Sequence, residues 1–258
     1  MGRKGSPRHR KRLSAPITYP IMRKHGIFTI RPYPTRSTIE SSIPLGIVIR
    51  EMLGYAKTLS EVKRILIKKL IKVDGKIQTN YKFGVGPMDV LEITQTEQFF
   101  RLTPYRGKRR LKLHPISEEE AHKKILSIKG KKTVKGGFVQ LNFHDGRNYL
   151  MNPENEHEFP ISELAVKDSI QFNLDKKTIE DHYPFATNNT ALIMGGHNVG
   201  LVGKIKEIET QSGRKMRNVT LETEEGEIET TDQHLIIIGR ETPVIEIPKV
   251  NGATEDEL

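Results

Sequence analysis

Cysteine and tryptophan are both absent from the 258-residue sequence. Without thiols there is no disulfide framework, no Cys-liganded zinc finger, no iron–sulfur cluster and no thiol nucleophile, and the composition suits a reducing compartment. Large aromatic anchors are scarce. Nine Phe and seven Tyr, with hydrophobic side chains at 35%, predict several small cores and not one deep enzyme-sized core. Long apolar runs are missing too: stretches such as Leu235 to Ile238 fall far short of the roughly 20 residues that cross a bilayer. The charged N-terminus leads into no apolar signal region, so neither a membrane span nor secretion is expected. The Asn-x-Thr triplets at Asn188 and Asn218 then read as chance matches.

The other absence is of acid. The first 39 residues contain no Asp or Glu, yet they hold Arg3, Lys4, Arg8, Arg10, Lys11, Arg12, Arg23, Lys24, Arg31 and Arg36, with His9 and His25 beside them. Residues 1–140 carry 31 basic and 10 acidic side chains, whereas residues 141–258 carry 11 and 22, so the net charge of +10 conceals a cationic half and an anionic half. A segment so loaded repels itself unless an anion neutralises it, and a polyphosphate backbone is the partner that fits. An anionic membrane surface fits less well, because the arm has no amphipathic apolar face and no lipidation signal.

Along the chain, residues 1–42 read as an extended basic arm in which Pro7, Pro16, Pro20, Pro32 and Pro34 break any helix. Such an arm cannot bury enough surface to fold by itself. From Ile43 a helix is expected, with Pro44 in its first turn, the stripe Leu45, Val48, Ile49, Met52 and Leu53, and Gly54 as its stop. A second helix is expected from Ser60 as N-cap, with Val62, Ile65, Leu66 and Leu70 inward, Arg64 and Lys68 outward, and Lys69 snorkelling from the apolar sector. Asp74-Gly75 should turn a hairpin between Ile71 and Ile77, and Gly84 to Pro87 should turn before a strand over Val90 to Ile93.

Beyond it lies a second basic cluster, Arg106, Lys108, Arg109, Arg110 and Lys112, suited to phosphates and not to reading bases. Ser117 and Glu120 predict a capping box. Asp145-Gly146 predicts another hairpin, and strands are expected over 170–174, 191–194, 219–223, 227–231 and 235–238. Gly195, Gly196, Gly200 and Gly203 crowd nine positions, which lets backbones or phosphates approach closely. The acidic stretch Glu222 to Glu229 should face solvent or protein.

The pieces yield an α+β, multi-domain reading: basic arm (1–42), two-helix module with hairpins (43–106), β-rich central domain (107–176), β-barrel (177–240) and tail (241–258). Residues 71–76 and 84–93 resemble the αL RNA-binding motif of several ribosomal proteins, pseudouridine synthases and rRNA methyltransferases. Residues 195–205 with their flanking strands resemble a KOW motif in an SH3-like β-barrel. Together with His9 to Pro16, Ser42 to Leu45, Tyr81 to Phe83, Pro115 to Ala121, Thr133 to Gly137, Gln140 to Asn142 and His144 to Asn148, the chain resembles the S4e family of small-subunit ribosomal proteins. Tyr19 departs from that pattern, which usually has Trp there.

The resemblance implies a structural ribosomal constituent on the cytoplasmic ribosome, with small-subunit rRNA and neighbouring ribosomal proteins as partners. No small-molecule substrate, cofactor, metal or self-association is expected. Besides the arm with His9, the RNA-facing set would include Arg50, Lys63, Arg64, Lys68, Lys72, Lys76 and Lys82 in the module. Two other classes compete. An rRNA-modifying enzyme is disfavoured because the pairs Arg12-Leu13, Arg101-Leu102 and Arg110-Leu111 are followed by Ser, Thr and Lys where a pseudouridine synthase needs Asp. Gly84-Val-Gly86 lacks the third glycine of a dinucleotide loop, and no His pair has metal-ligand spacing. A KOW-containing transcription factor is disfavoured by the basic arm and the αL-like module.

Overall fold

The computed structural model describes residues 9–107, 110–151, 160, 163–209 and 216–248. The architecture is β-rich, with few and short helices, and divides into two compact units: Met1–Leu102 with Gly107–Pro115, and Thr103–Arg106 with Ile116–Leu258.

In the first unit the described part of the arm is folded. Strand β1 (Arg10–Lys11) pairs antiparallel with β2 (Phe28–Thr29), and Ala15, Tyr19 and Ile30 are buried in a cluster they share with the helices. Proline and the lack of periodicity did exclude helix here, but burial against a neighbour supplies the apolar contact that the arm alone lacks. Arg23 holds the bend together by donating to the carbonyls of Ala15 at 2.6 Å and Pro16 at 2.9 Å.

Pro44 lies in a strand, not a helix: β3 (Ile43–Pro44) pairs with β6 (Gly84–Val85), so Gly84 is also in a strand where a turn was expected. Helix α1 (Leu45–Ile47) passes directly into a π-helical stretch, Val48–Met52, whose wider pitch shows in Leu53 N–H donating five residues back to Val48 at 3.0 Å. That pitch change buries Ile47 together with Leu45, Val48 and Ile49, a set no single 3.6-residue stripe contains. The chain can reach the arm here because residue 46 is glycine: a Cβ would lie 2.8 Å from the Ile30 side chain.

Helix α2 (Leu59–Ile67) starts two residues earlier than expected. Thr58, not Ser60, is the N-cap, and it forms a capping box in which Thr58 accepts from Glu61 N–H while Glu61 accepts from the Thr58 N–H. Those backbone donors, Lys57 foremost, hold the Glu61 carboxyl below the usual carboxylate range. Lys69 does not snorkel, because the helix has ended. It adopts φ 59°, the left-handed conformation, and closes the last turn by donating to Leu66 at 3.0 Å.

The first unit's sheet runs β5 (Lys76–Ile77), β4 (Ile71–Val73), β7 (Val90–Ile93), β8 (Gln98–Pro104), β9 (Leu111–Ile116). Asp74 and Gly75 turn the β4–β5 hairpin with φ of 49° and 72°, as a two-residue primed turn requires.

The second unit holds α3 (Glu118–Ala121) and two five-stranded antiparallel sheets. The first is ordered β12 (Asn148–Met151), β11 (Val139–Phe143), β10 (Lys123–Thr133), β13 (Ser169–Asn173), β14 (Ile179–Tyr183). The other is ordered β18 (Gly226–Thr231), β17 (Asn218–Thr223), β16 (Val202–Glu209), β15 (Thr190–Ile193), β19 (Leu235–Gly239). Ser117 caps α3 by accepting from Glu120 N–H, but the reciprocal half of the expected box is replaced: the Glu120 carboxylate accepts from Glu246 N–H at 3.0 Å. The two sheets meet where buried Ser169 of β13 accepts from Ile237 N–H of β19 at 3.1 Å.

Candidate nucleic-acid interface

The residues expected to bind RNA fall into three groups. Arg3, Lys4, Arg8, Lys108 and Arg109 lie outside the described residues. His9, Lys11, Lys24, Lys63, Arg64, Lys68, Lys76, Lys82, Arg106, Arg110 and Lys112 are exposed. The rest are half-buried, and several hold the fold together. Arg23 clasps the arm, Lys72 pairs with Glu92 at 2.6 Å, and Arg50 pairs with Glu51 at 2.8 Å. Arg36 donates to Asp74 at 2.8 Å with Asp89 at 3.6 Å. Both carboxylates are buried and also cap turns, Asp74 accepting from Val90 N–H at 2.9 Å and Asp89 from Gly86 N–H at 2.7 Å. Arg106 pairs with Glu225.

Residues remote in sequence converge on one cleft of about 310 Å³ in the first unit. Its cations are Arg10 and Arg12 around β1, Arg31 after β2, Arg50 from the π-helical stretch, and Lys82. The lining also includes aromatic and apolar side chains: His9, Phe28, Ile30, Leu59 and Tyr81. The His9 and Phe28 rings lie 5.6 Å apart, and the ammonium groups of Lys63 and Lys82 lie 5.2 and 5.6 Å from the Tyr81 ring. Arg12 is steadied by its Nε donating to the Met22 carbonyl at 2.9 Å. The cations of this cleft were legible from charge, whereas Phe28 and Tyr81 were not singled out. A Phe or Tyr beside basic residues was the available signal.

In the second unit the four clustered glycines serve the protein's own packing. At Gly200, with φ 88°, a Cβ would sit 2.7 Å from the Arg106 backbone nitrogen, and at Gly203 one would sit 2.7 Å from the Glu222 carbonyl. Gly195 packs on the His234 ring, and Gly196 takes φ 87°. The acidic positions Glu222, Glu224, Glu225, Glu227 and Glu229 are exposed, as expected.

Two histidines of this unit have structural partners. His182 Nε2 lies 2.8 Å from Asp168, whose carboxylate also accepts from Ala165 and Phe185 N–H at 2.9 and 2.8 Å. His144 Nδ1 accepts from Ser127 N–H at 3.1 Å, which fixes the neutral tautomer, and its Nε2 is buried with no hydrogen-bond partner among the described residues. Burial, aided by the charges of Lys124 and Lys129 and opposed by Asp145, pushes the imidazole down to about 4. The unfolded chain therefore takes up this proton near pH 6.5 while the folded chain resists it, so His144 withdraws stability between about pH 6.5 and 4. Over that window the loss is on the order of 3 kcal/mol. Thermal melts from pH 7 to 4.5 should fall steeply for the native chain and more gently for His144→Gln; parallel curves would refute the assignment.

Similarity to known proteins matches this geometry. The S4 domain model matches residues 47–91, covering the π-helical stretch, α2 and β4 to β7. The RS4NT domain model matches residues 4–34, the arm, and the model of ribosomal family S4e matches residues 96–179. The chain is thus a ribosomal-type protein built around an S4 domain. Its relatives make the assignment specific. It is 40% identical to the small ribosomal subunit protein eS4 of Ignicoccus hospitalis over 247 residues, 95% of this chain and 96% of that protein. It is 41% identical to that of Hyperthermus butylicus over 257 residues, 96% of this chain and 98% of that one. The crystal structure of 30S ribosomal protein S4e from Thermoplasma acidophilum matches with a TM-score of 0.63 at 30% identity, covering 77% of this chain and 95% of that one. The chain belongs to the S4e family of ribosomal proteins. Tyr19 is only 2% exposed, and burial pushes the phenol up to about 12.

Proposed function

We propose that the chain is a structural constituent of the small ribosomal subunit, that it binds folded rRNA through the arm and the S4 module, and that it acts on the cytoplasmic ribosome without catalysing a reaction. The observation that carries this reading is the gathering of Arg10, Arg12, Arg31, Arg50 and Lys82 on one cleft, although they are far apart in sequence. Binding draws on release of counterions from phosphates. The exposed cations Lys63, Arg64 and Lys68 of α2 extend the basic surface of the module, and the short hairpins around Asp74 support its likeness to an αL motif. Lys24, Lys76, Arg110 and Lys112 add long-range attraction, and Arg3, Lys4, Arg8, Lys108 and Arg109 complete the proposed set.

We assign residues 1–42 to the arm, 43–106 to the RNA module, 107–176 to a central β domain, 177–240 to a KOW-type SH3-like barrel and 241–258 to the tail. The closely packed glycines at 195–203 and the antiparallel order β18-β17-β16-β15-β19 support the barrel reading. The exposed acids of β17 and β18 suit neighbouring ribosomal proteins with basic surfaces. The test is sedimentation of the full chain with ribosomes through sucrose in moderate salt. The chain is expected in the small-subunit peak; recovery in the light fractions would overturn the proposal.

A further inference from the structure

We propose that the cleft of the first unit receives one unpaired nucleotide of the bound RNA, its base against Phe28 and Tyr81 and its phosphate on the arginines that line the same cleft. The inference rests on the RNA-binding reading and adds to it a specific occupant. A site for phosphate alone needs cations and no aromatic floor. Here the same cleft joins both. Phe28 stays 58% exposed although a ring of that size gains by burial, so the unit leaves an apolar platform in the cleft that the cations also line. A base paired in a helix offers no face to such a platform; an extruded one does. The volume of about 310 Å³ lies at the lower end of pockets that hold small organic ligands, ~300–1,000 Å³, and fits one nucleotide rather than a stack.

The ammonium groups of Lys63 and Lys82 near the Tyr81 ring are on flexible stems and can pass to the incoming phosphate as the base takes the ring.

The test uses the full chain and two RNA hairpins, identical except that one bears a single bulged 2-aminopurine. The bulged hairpin should bind at least fivefold more tightly, with its emission quenched as the base stacks. Tyr81→Leu and Phe28→Leu, which keep apolar volume and remove the ring face, should abolish that preference, read as the ratio of the two hairpins' affinities for each variant. Tyr81 also packs on the core, so Phe28→Leu at its exposed position serves as the variant that cannot act by unfolding the unit. Equal binding of the two hairpins, or a preference that survives Phe28→Leu, overturns the inference and leaves RNA binding intact. Failure to bind either hairpin at low salt overturns both readings.

Discussion

Replacing Arg10, Lys11 and Arg12 together with glutamine lowers the slope of log K against log salt by about 2 to 3 and weakens RNA binding roughly a hundredfold near 0.2 M salt. The magnitude follows from counterion release: each phosphate neutralised by a cation frees close to one condensed ion, and three such contacts are removed. The choice of residues follows from structure. Strand β1 is pinned to β2 by the pairs Arg10↔Thr29 and Lys11↔Phe28, so these cations are presented from an ordered element. Their concentration at the RNA is not diluted by chain motion. Glutamine keeps the aliphatic stem and a donor for the Met22 carbonyl that Arg12 now serves. The melting temperature should therefore stay within a few degrees of the native value. Titrations at four salt concentrations give the slope directly, and an unchanged slope would show that the arm does not touch phosphate.

The largest loss of stability is expected from Asp145→Ala, at about 3–5 kcal/mol. Lys124 lies in β10 with its side chain fully buried, and its ammonium is 3.3 Å from the Asp145 carboxylate, itself 2% exposed. Arg147 contributes its Nε at 3.1 Å and its backbone N–H at 2.9 Å. Burial pushes this carboxyl up, but Lys124, the Arg147 N–H and the neighbouring His144 and Arg147 outweigh it, so the net shift is downward. A carboxyl with a depressed folded value stabilises the protein above its unfolded value near pH 4, and that share is lost as pH falls through the folded value. His144, whose folded value is also depressed, acts in the same sense at higher pH, so the two titrations separate by pH: a decline from about 6.5 belongs to the imidazole, and a later one below 4 to the carboxylate.

Removing Asp145 takes a negative charge from beside a buried ammonium, which costs far more than removing both charges. Urea unfolding at pH 7 should show the single Asp145→Ala variant to be much less stable than Lys124→Met combined with Asp145→Leu. A single variant within 1 kcal/mol of native would show that the pair is dispensable.

Much of the local structure was written in short-range chemistry. Asp74-Gly75 and Asp145-Gly146 turn hairpins because Gly accepts positive φ and Asp offers a side-chain acceptor; Asp145 takes the Arg147 N–H in this way. Strands β7, β13, β15, β17, β18 and β19 were legible from apolar alternation or runs, within a residue or two at their ends. The cap of α2 was expected at Ser60; Thr58 takes that place because Glu61, three residues on, completes the reciprocal bonds. The shift from α to π pitch after Ile47 had no local marker, since it is packing of Ile47 and its neighbours that rewards it.

The charge division, the missing thiols and the turn chemistry were properties of the sequence by itself, because each depends on residue identity and spacing along the chain. Which cations brace the fold, as Arg23 and Arg36 do, and which line a common cleft was decided only in three dimensions. Lysines and arginines look alike in sequence, and their partners stand as much as 119 residues away, as between Arg106 and Glu225. The same holds for Phe28 and Tyr81: the sequence records two ordinary aromatics, and tertiary packing alone sets them in the lining of one cavity with the arginines.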